Sequence, residues 1–207
     1  MKTLRLVLGD QLSRDLPSLS DLDPDKDLVL MAEVMSEVTY VKHHKRKIAY
    51  LFSAMRHFAN SLGDDGITVR YRRLDDPDNA GSLAGEVANA IAAFDPDRIV
   101  ITAPGEYRLA DEMAGWQARF GLAVDIRADT RFLCSLDDFA EWAEERKSLR
   151  MEFFYRDLRR RYQVLMEGDE PIGGKWNYDA DNRQPPKAGL AVPPPSRFAP
   201  DAITAEV

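Results

Sequence analysis

The first two thirds of the chain alternate short apolar runs of strand length with segments of helical periodicity, and that alternation limits the fold more than any other feature. The strand-like runs are "LRLVLGD" (4–10), "DLVLMAEV" (27–34), "ITVRYRRL" (67–74), "RIVITA" (98–103) and "AVDIRAD" (123–129). Between them, Ile48, Leu51, Phe52, Met55, Phe58 and Leu62 fall at helical spacing over 45–62, and "GDDG" closes that helix. Leu83, Val87, Ile91 and Phe94 mark a second helix over 82–94, and 106–121 reads as a third. Near-continuously apolar strands joined by helices call for a parallel sheet covered on both faces. The expectation is an α/β fold with a doubly wound, five-stranded parallel sheet ordered 3-2-1-4-5.

After residue 130 the pattern changes to two helical segments, "DDFAEWAEERKS" and "RMEFFYRDLRRRYQVLM", with no strand between them. The stretch that follows is rich in Gly, Pro, Asn and Asp and has no periodicity, so it reads as a linker, with Pro185, Pro186, Pro193, Pro194 and Pro195 favouring extended backbone. "PDAITAEV" opens a helix with Asp201 as its N-cap and stops within about two turns. The expected organisation is an α/β domain over 1–135, a helical extension packed on it over 136–170, and over 171–207 a Pro-rich interdomain linker that starts the first helix of a further domain.

No apolar run approaches the length of a membrane span, and the N-terminus lacks a signal peptide, so a cytoplasmic location is expected. The net charge of −7 argues against nucleic-acid binding by the surface as a whole. The single cysteine, Cys134, allows neither an internal disulfide nor an iron–sulfur cluster.

Ligands of open parallel sheets bind at the carboxyl ends of the strands, where the strand order reverses. "LGDQL" (8–12) leaves the first strand there; Gly9 permits close backbone approach, although Gly9-Asp10 also suits a simple turn. Neither G-x-G-x-x-G nor G-x-x-x-x-G-K-[ST] occurs. Residues 33–47 leave the second strand at the same edge, so Glu33, Glu37, Tyr40, His43 and His44 are candidates to line a pocket with Asp10. A metal site is disfavoured because adjacent histidines point to different sides of a regular element, and no serine sits in a nucleophile elbow. A pocket for a small planar ring fits better, with Tyr40 and Leu51 against its faces and carboxylates at its polar edge. Lys45, Arg46 and Lys47 read as solvated charges. Arg156, Arg159, Arg160 and Arg161 suit a phosphate or DNA contact, but more readily an exposed face paired with nearby acids or docked on a neighbouring domain. Trp176 is either an electron-relay aromatic or an anchor for the linker.

The set "LVLGDQLS", "AEVMSEVTYVKHHKRKIAYLFSAMRHFA", "PDNAGSLAGEV", "APGEYRL", "RKSLRMEFFYRDLRRRY" and "GGKWNYDADNRQP" resembles the N-terminal half of the deoxyribodipyrimidine photolyase-related proteins, the bacterial (6-4) photolyases and cryptochromes with an iron–sulfur cluster. The resemblance implies a Rossmann-like antenna domain that binds 6,7-dimethyl-8-ribityllumazine, with Gly9, Asp10, Glu37 and Tyr40, and more weakly Leu51 and Met31 or Ala32, as its pigment residues. It further implies that FAD and a 4Fe–4S cluster belong to a C-terminal helical domain absent from these residues. That domain and damaged DNA would be the partners of a longer parent, which would be a DNA lyase, while this chain alone would bind a pigment without catalysing a reaction. A cryptochrome-type photoreceptor and a stand-alone nucleotide- or flavin-binding or interaction module are the alternatives.

Overall fold

The second, third and fourth apolar runs are each followed by helix that carries the chain back to the same end of the sheet. After the first, a loop with a single 3-10 turn at Pro17–Leu19 does so, and all strands therefore run one way. The computed structural model describes residues 1–207 apart from Gln184 and Lys187, which fall within the stretch read as a linker. Its strands β1 (Thr3–Leu6), β2 (Asp27–Ala32), β3 (Val69–Arg72), β4 (Arg98–Thr102) and β5 (Ala123–Arg127) pair in parallel in the order β3-β2-β1-β4-β5. The expected fold and strand order are both observed.

The period-2 alternation of the strands divides the core between two faces. Leu4, Leu6, Leu30, Ile99 and Ile101 pack with Val87, Leu109, Met113 and Trp116 on one face. Val29, Met31 and Val7 pack with Phe52, Met55, Ala59 and Leu62 on the other. The helices of this unit are α1 (Met35–Thr39), α2 (Lys45–Asp64), α3 (Leu83–Phe94), α4 (Tyr107–Ala114) and α5 (Trp116–Phe120). α1 lies in a segment read as loop: its N-cap is Val34, which makes no side-chain cap bond, so no start signal marks it. The helix expected over 106–121 is divided at Gly115.

Two charge clusters brace the sheet, one buried and one running from buried Arg5 and Asp27 out to half-exposed Asp21. Immediately after β2, fully buried Glu33 accepts from Arg56 Nε and Nη2 of α2 (2.6 and 2.9 Å), from the Tyr71 hydroxyl (2.7 Å) and from the Leu74 amide (2.9 Å). Burial and the adjacent carboxylate push the Tyr71 phenol well above its usual range. On the α2 side of β1, buried Arg5 donates to Asp27 (2.7 Å) and Asp21 (2.7 Å), and Asp21 also accepts from Arg127 at 2.6 and 2.9 Å. These bonds, those of Arg127 foremost, hold the Asp21 carboxyl well below the usual carboxylate range.

The chain divides into two compact units, Met1–Arg131 with Ala199–Val207, and Phe132–Phe198. In the second, α6 (Leu136–Ala143) begins with a Ser135–Asp138 capping box, and Phe139, Trp142 and Phe154 of α7 (Met151–Tyr162) form an aromatic cluster. The α7 arginines are occupied: Arg156 pairs with Glu152, Arg160 with Asp157 (3.2 Å) and Arg161 with Asp138 (3.0 Å). Arg159 is buried and donates to the Val164 and Leu165 carbonyls. Arg156, Arg159 and Arg160 ring Trp176 at 4.6–5.3 Å, which anchors its segment to α7. The strands β6 (Met166–Glu167) and β7 (Glu170–Pro171) form a hairpin where no strand is expected, with Gln163 and Leu165 at positive φ before it, and α8 (Asp179–Asn182) lies within the expected linker. In the first unit, α9 (Ala202–Glu206) is capped by Asp201, which also pairs with His57 of α2 (2.9 Å).

Removing one partner from a buried ion pair leaves the other charge uncompensated. Glu33→Ala is therefore expected to lower unfolding stability by about 3–5 kcal/mol in urea titrations. Because folded Asp21 holds its proton more weakly than the unfolded chain does, its stabilisation is complete above about pH 4 and is lost as the pH falls through the lower folded value. Asp21→Asn is expected to flatten the acid limb of a urea-derived stability curve recorded between about pH 5 and 2.

Candidate functional site

The order reverses at β1, whose neighbours β2 and β4 lead into helices on opposite faces, and a cavity of about 290 Å³ opens at the carboxyl ends of these three strands. That size lies near the lower end for small-molecule pockets, roughly 300–1,000 Å³, and suits one ring system better than a dinucleotide. The floor is Val7, Leu8, Gly9 and Asp10. The β2 side supplies Ala32, Val34, Glu37, Val38 and Tyr40, and α2 with its approach supplies His43, Lys47, Ile48, Leu51, Phe52 and Met55. Leu83 of α3 and, after β4, Pro104, Gly105, Glu106 and Leu109 complete it.

Side chains on the floor would obstruct this space. A Cβ on Gly9 would stand 3.0 Å from the Met55 sulfur and 3.5 Å from Leu51. The floor is held by Gln11, whose amide, fully buried, donates to the Thr102 and Ala103 carbonyls (3.1 and 3.2 Å) and accepts from the Leu8 amide at 3.4 Å. Arg131, forked to Asp129, donates to the Asp10 carbonyl at 3.1 Å.

All six candidates, Gly9, Asp10, Ala32, Glu37, Tyr40 and Leu51, come together on this cavity. Met31, the alternative to Ala32, faces the α2 side and is fully buried there. Two expectations are corrected. Glu33 does not face the cavity, because its carboxylate is consumed by Arg56, Tyr71 and Leu74. His44 does not either, because its Nδ1 caps α2 by accepting from the Arg46 amide (3.1 Å), whereas His43 lies edge-on to Tyr40 with ring centroids 5.2 Å apart. Lys47, read as a solvated charge, lines the cavity one helical turn before Leu51.

Sequence reasoning also missed the β4 side. Arg108 Nη1 and Nη2 donate to the two Glu37 oxygens (3.2 and 2.6 Å), Nε and Nη2 donate to Glu106 (3.1 and 3.2 Å), and its guanidinium sits 4.5 Å from the Tyr40 ring centroid. These carboxylates, Glu37 foremost, raise the Arg108 guanidinium further above its ordinary range. The signal was available, since "APGEYRL" directly follows the strand that forms the other side of the crevice. The arrangement offers apolar walls, a carboxylate rim and donors from Lys47 and His43. Among the described residues no three His, Cys, Asp or Glu side chains converge as metal ligands, and no helix is long and apolar enough to cross a membrane.

A doubly wound sheet with a mainly apolar cavity at its switch point defines an α/β domain of the kind in which small molecules are commonly held. Residues 5–207 match the family described as Deoxyribodipyrimidine photo-lyase-related protein, and the chain belongs to that family. It is 53% identical over 207 residues to a (6-4) photolyase of Agrobacterium fabrum, covering 100% of this chain and 41% of that protein. An uncharacterized protein of Acanthamoeba polyphaga mimivirus is 25% identical over 195 residues, covering 89% of this chain and 95% of its own length. The chain thus spans less than half of the bacterial relative and nearly all of the viral one.

The floor's dependence on Gln11 is testable. Gln11→Ala leaves the Leu8 amide and two carbonyls without this partner and is expected to cost about 1–3 kcal/mol in urea unfolding. Amide exchange of residues 8–11 should accelerate more than that of β2.

Proposed function

We propose that the cavity holds a light-harvesting pigment of the lumazine class, 6,7-dimethyl-8-ribityllumazine, and that this domain is the antenna of a (6-4) photolyase-like protein. What supports the reading is the convergence of Gly9, Asp10, Ala32, Glu37, Tyr40 and Leu51 on one cavity, together with the likeness to a (6-4) photolyase over the whole chain. In this reading FAD, the iron–sulfur cluster and the contacts to damaged DNA belong to a further, C-terminal domain of a longer cytoplasmic protein that repairs DNA in light.

The residues present fit such a pigment. Leu51, Phe52, Met55 and Leu109 provide apolar walls for a flat ring. The Asp10 carboxylate accepts no hydrogen bond among the described residues and is free to take one from a ribityl hydroxyl or a ring N–H. Glu37 Oε1 accepts from both Arg108 and the Ser36 hydroxyl (3.2 Å each), whereas Oε2 accepts from Arg108 and keeps a lone pair for a second donor. The bound pigment would supply absorption in the near-ultraviolet or violet and pass that excitation to the flavin. The protein's part is to orient the ring, exclude quenching water and hold the hydroxylated tail, which needs neither nucleophile nor base.

One observation favours a stand-alone module instead: the viral relative consists of little beyond the region this chain matches. Equilibrium dialysis of this chain against the lumazine, FMN and AMP separates the two. Preferential lumazine uptake is expected, with Asp10→Ala and Glu37→Ala each weakening it about tenfold or more, because a charge-assisted hydrogen bond is worth about 1.5–3 kcal/mol. Tight FMN or AMP binding without lumazine uptake would favour the stand-alone module.

A further inference from the structure

Resting on the reading of the cavity as a pigment site, we infer that Arg108, which does not itself line the cavity, clasps the cavity's least anchored wall and sets how long an occupant stays. The walls differ in how they are held. α2 buries Phe52, Met55, Ala59 and Leu62 in the core, whereas α1 fully buries none of its residues and packs the half-buried Val38 against that core. A five-residue helix with no side-chain cap and one half-buried apolar contact is weakly held. Besides a backbone bond from the Ser36 amide to the Gly81 carbonyl (2.9 Å), the polar ties from α1 to other elements run through Arg108 among the described residues.

Arg108 stands in the first turn of α4, beyond β4, so its fork reaches across the tip of β1 to the opposite wall. It takes both oxygens of Glu37, braces itself on Glu106 and stacks over Tyr40, so one guanidinium fixes both the acid and the aromatic of that wall. An isolated exposed ion pair contributes little, but a bidentate fork shared between two carboxylates and a ring is a network. Because Glu37 Oε2 retains a lone pair beside its bond from Arg108, clasp and occupant act on Glu37 together: Arg108 fixes the rotamer that an occupant meets. Arg108 is thus a positioning residue for the site, and its loss lets α1 swing outward.

The test has two arms. In the ligand-free chain, Arg108→Ala should speed amide exchange across residues 35–40 about tenfold while leaving β1 and β4 protected; this arm needs no pigment. In the lumazine-loaded chain, the same substitution should speed release on dilution about tenfold, with full occupancy retained at saturating pigment. Arg108→Lys, which keeps the charge without the fork, should exchange and release nearly as fast as Arg108→Ala, and it answers the question should the alanine variant fail to fold. Unchanged exchange over residues 35–40, or full rescue by lysine, would overturn the clasp. If wild-type protein takes up no lumazine, the pigment reading fails while the exchange arm still decides whether the clasp exists.

Discussion

A carboxylate withdrawn from water at the end of β2 governs the geometry around it. Burying Glu33 alone would cost far more than a small domain's stability margin, so it must be fully bonded wherever the chain is folded. Its partners come from α2, β3 and the turn after β3, so one charge ties three elements to a single point. The Glu33 carbonyl accepts from Asn79, whose side chain also bonds Arg73 and Gly81 around the turn into α3. α2 therefore cannot slide along the sheet without leaving Glu33 or Arg56 unpaired, and α2 is the long wall of the cavity. The stability of the fold and the shape of the site rest on the same bonds.

The cavity itself exists because side-chain volume is missing at one place and backbone is pinned at another. Gly9 leaves room beside Met55 and Leu51, and Gln11 links the β1 exit to the β4 exit, so the floor keeps its position between two strands with different followers. Glycine also matters away from the floor: a Cβ on Gly85 would stand 2.6 Å from that of Ala80, so glycine there lets the "NAGSLAG" turn close against the start of α3. Motifs that look like ligand contacts on first reading thus include several whose work is to brace the loops that line the cavity.

Strand order was legible from the clear alternation of elements, and Gly9, Asp10, Glu37, Tyr40 and Leu51 from the switch-point rule and the pattern around it, whereas Ala32 came only from the family resemblance. Glu33 was misread beside Glu37 because both are acids leaving one strand. The correcting clue was present: Glu33 is in phase with Val29 and Met31, which face α2, and Arg56 interrupts the apolar stripe of α2 among Phe52, Met55 and Ala59. Lys47 was readable too, since 47, 51 and 55 share one helical face. His43 and His44 were not separable in advance, because which one caps a helix depends on where that helix starts. α1 carried no legible signal, being a single turn or so with valine at its N-cap.

Charge density in the sequence was a poor guide to where chemistry is available, and pairing explains why. The four arginines of α7 make the most conspicuous basic run in the second unit, yet each has an acid, a carbonyl or the Trp176 ring as partner. Ion pairs of that kind, once satisfied, offer little to a phosphate without first being broken. Arg108 looks unremarkable in "APGEYRL", but it differs in what its partners do: Glu37, Glu106 and Tyr40 all line the cavity. A cation bonded to the walls of a site influences that site even when it touches nothing inside it. The position of a charge relative to the sheet's switch point, rather than the number of its neighbours of like sign, separates the structural arginines of α7 from Arg108 and Arg131, which are bonded to residues of the cavity.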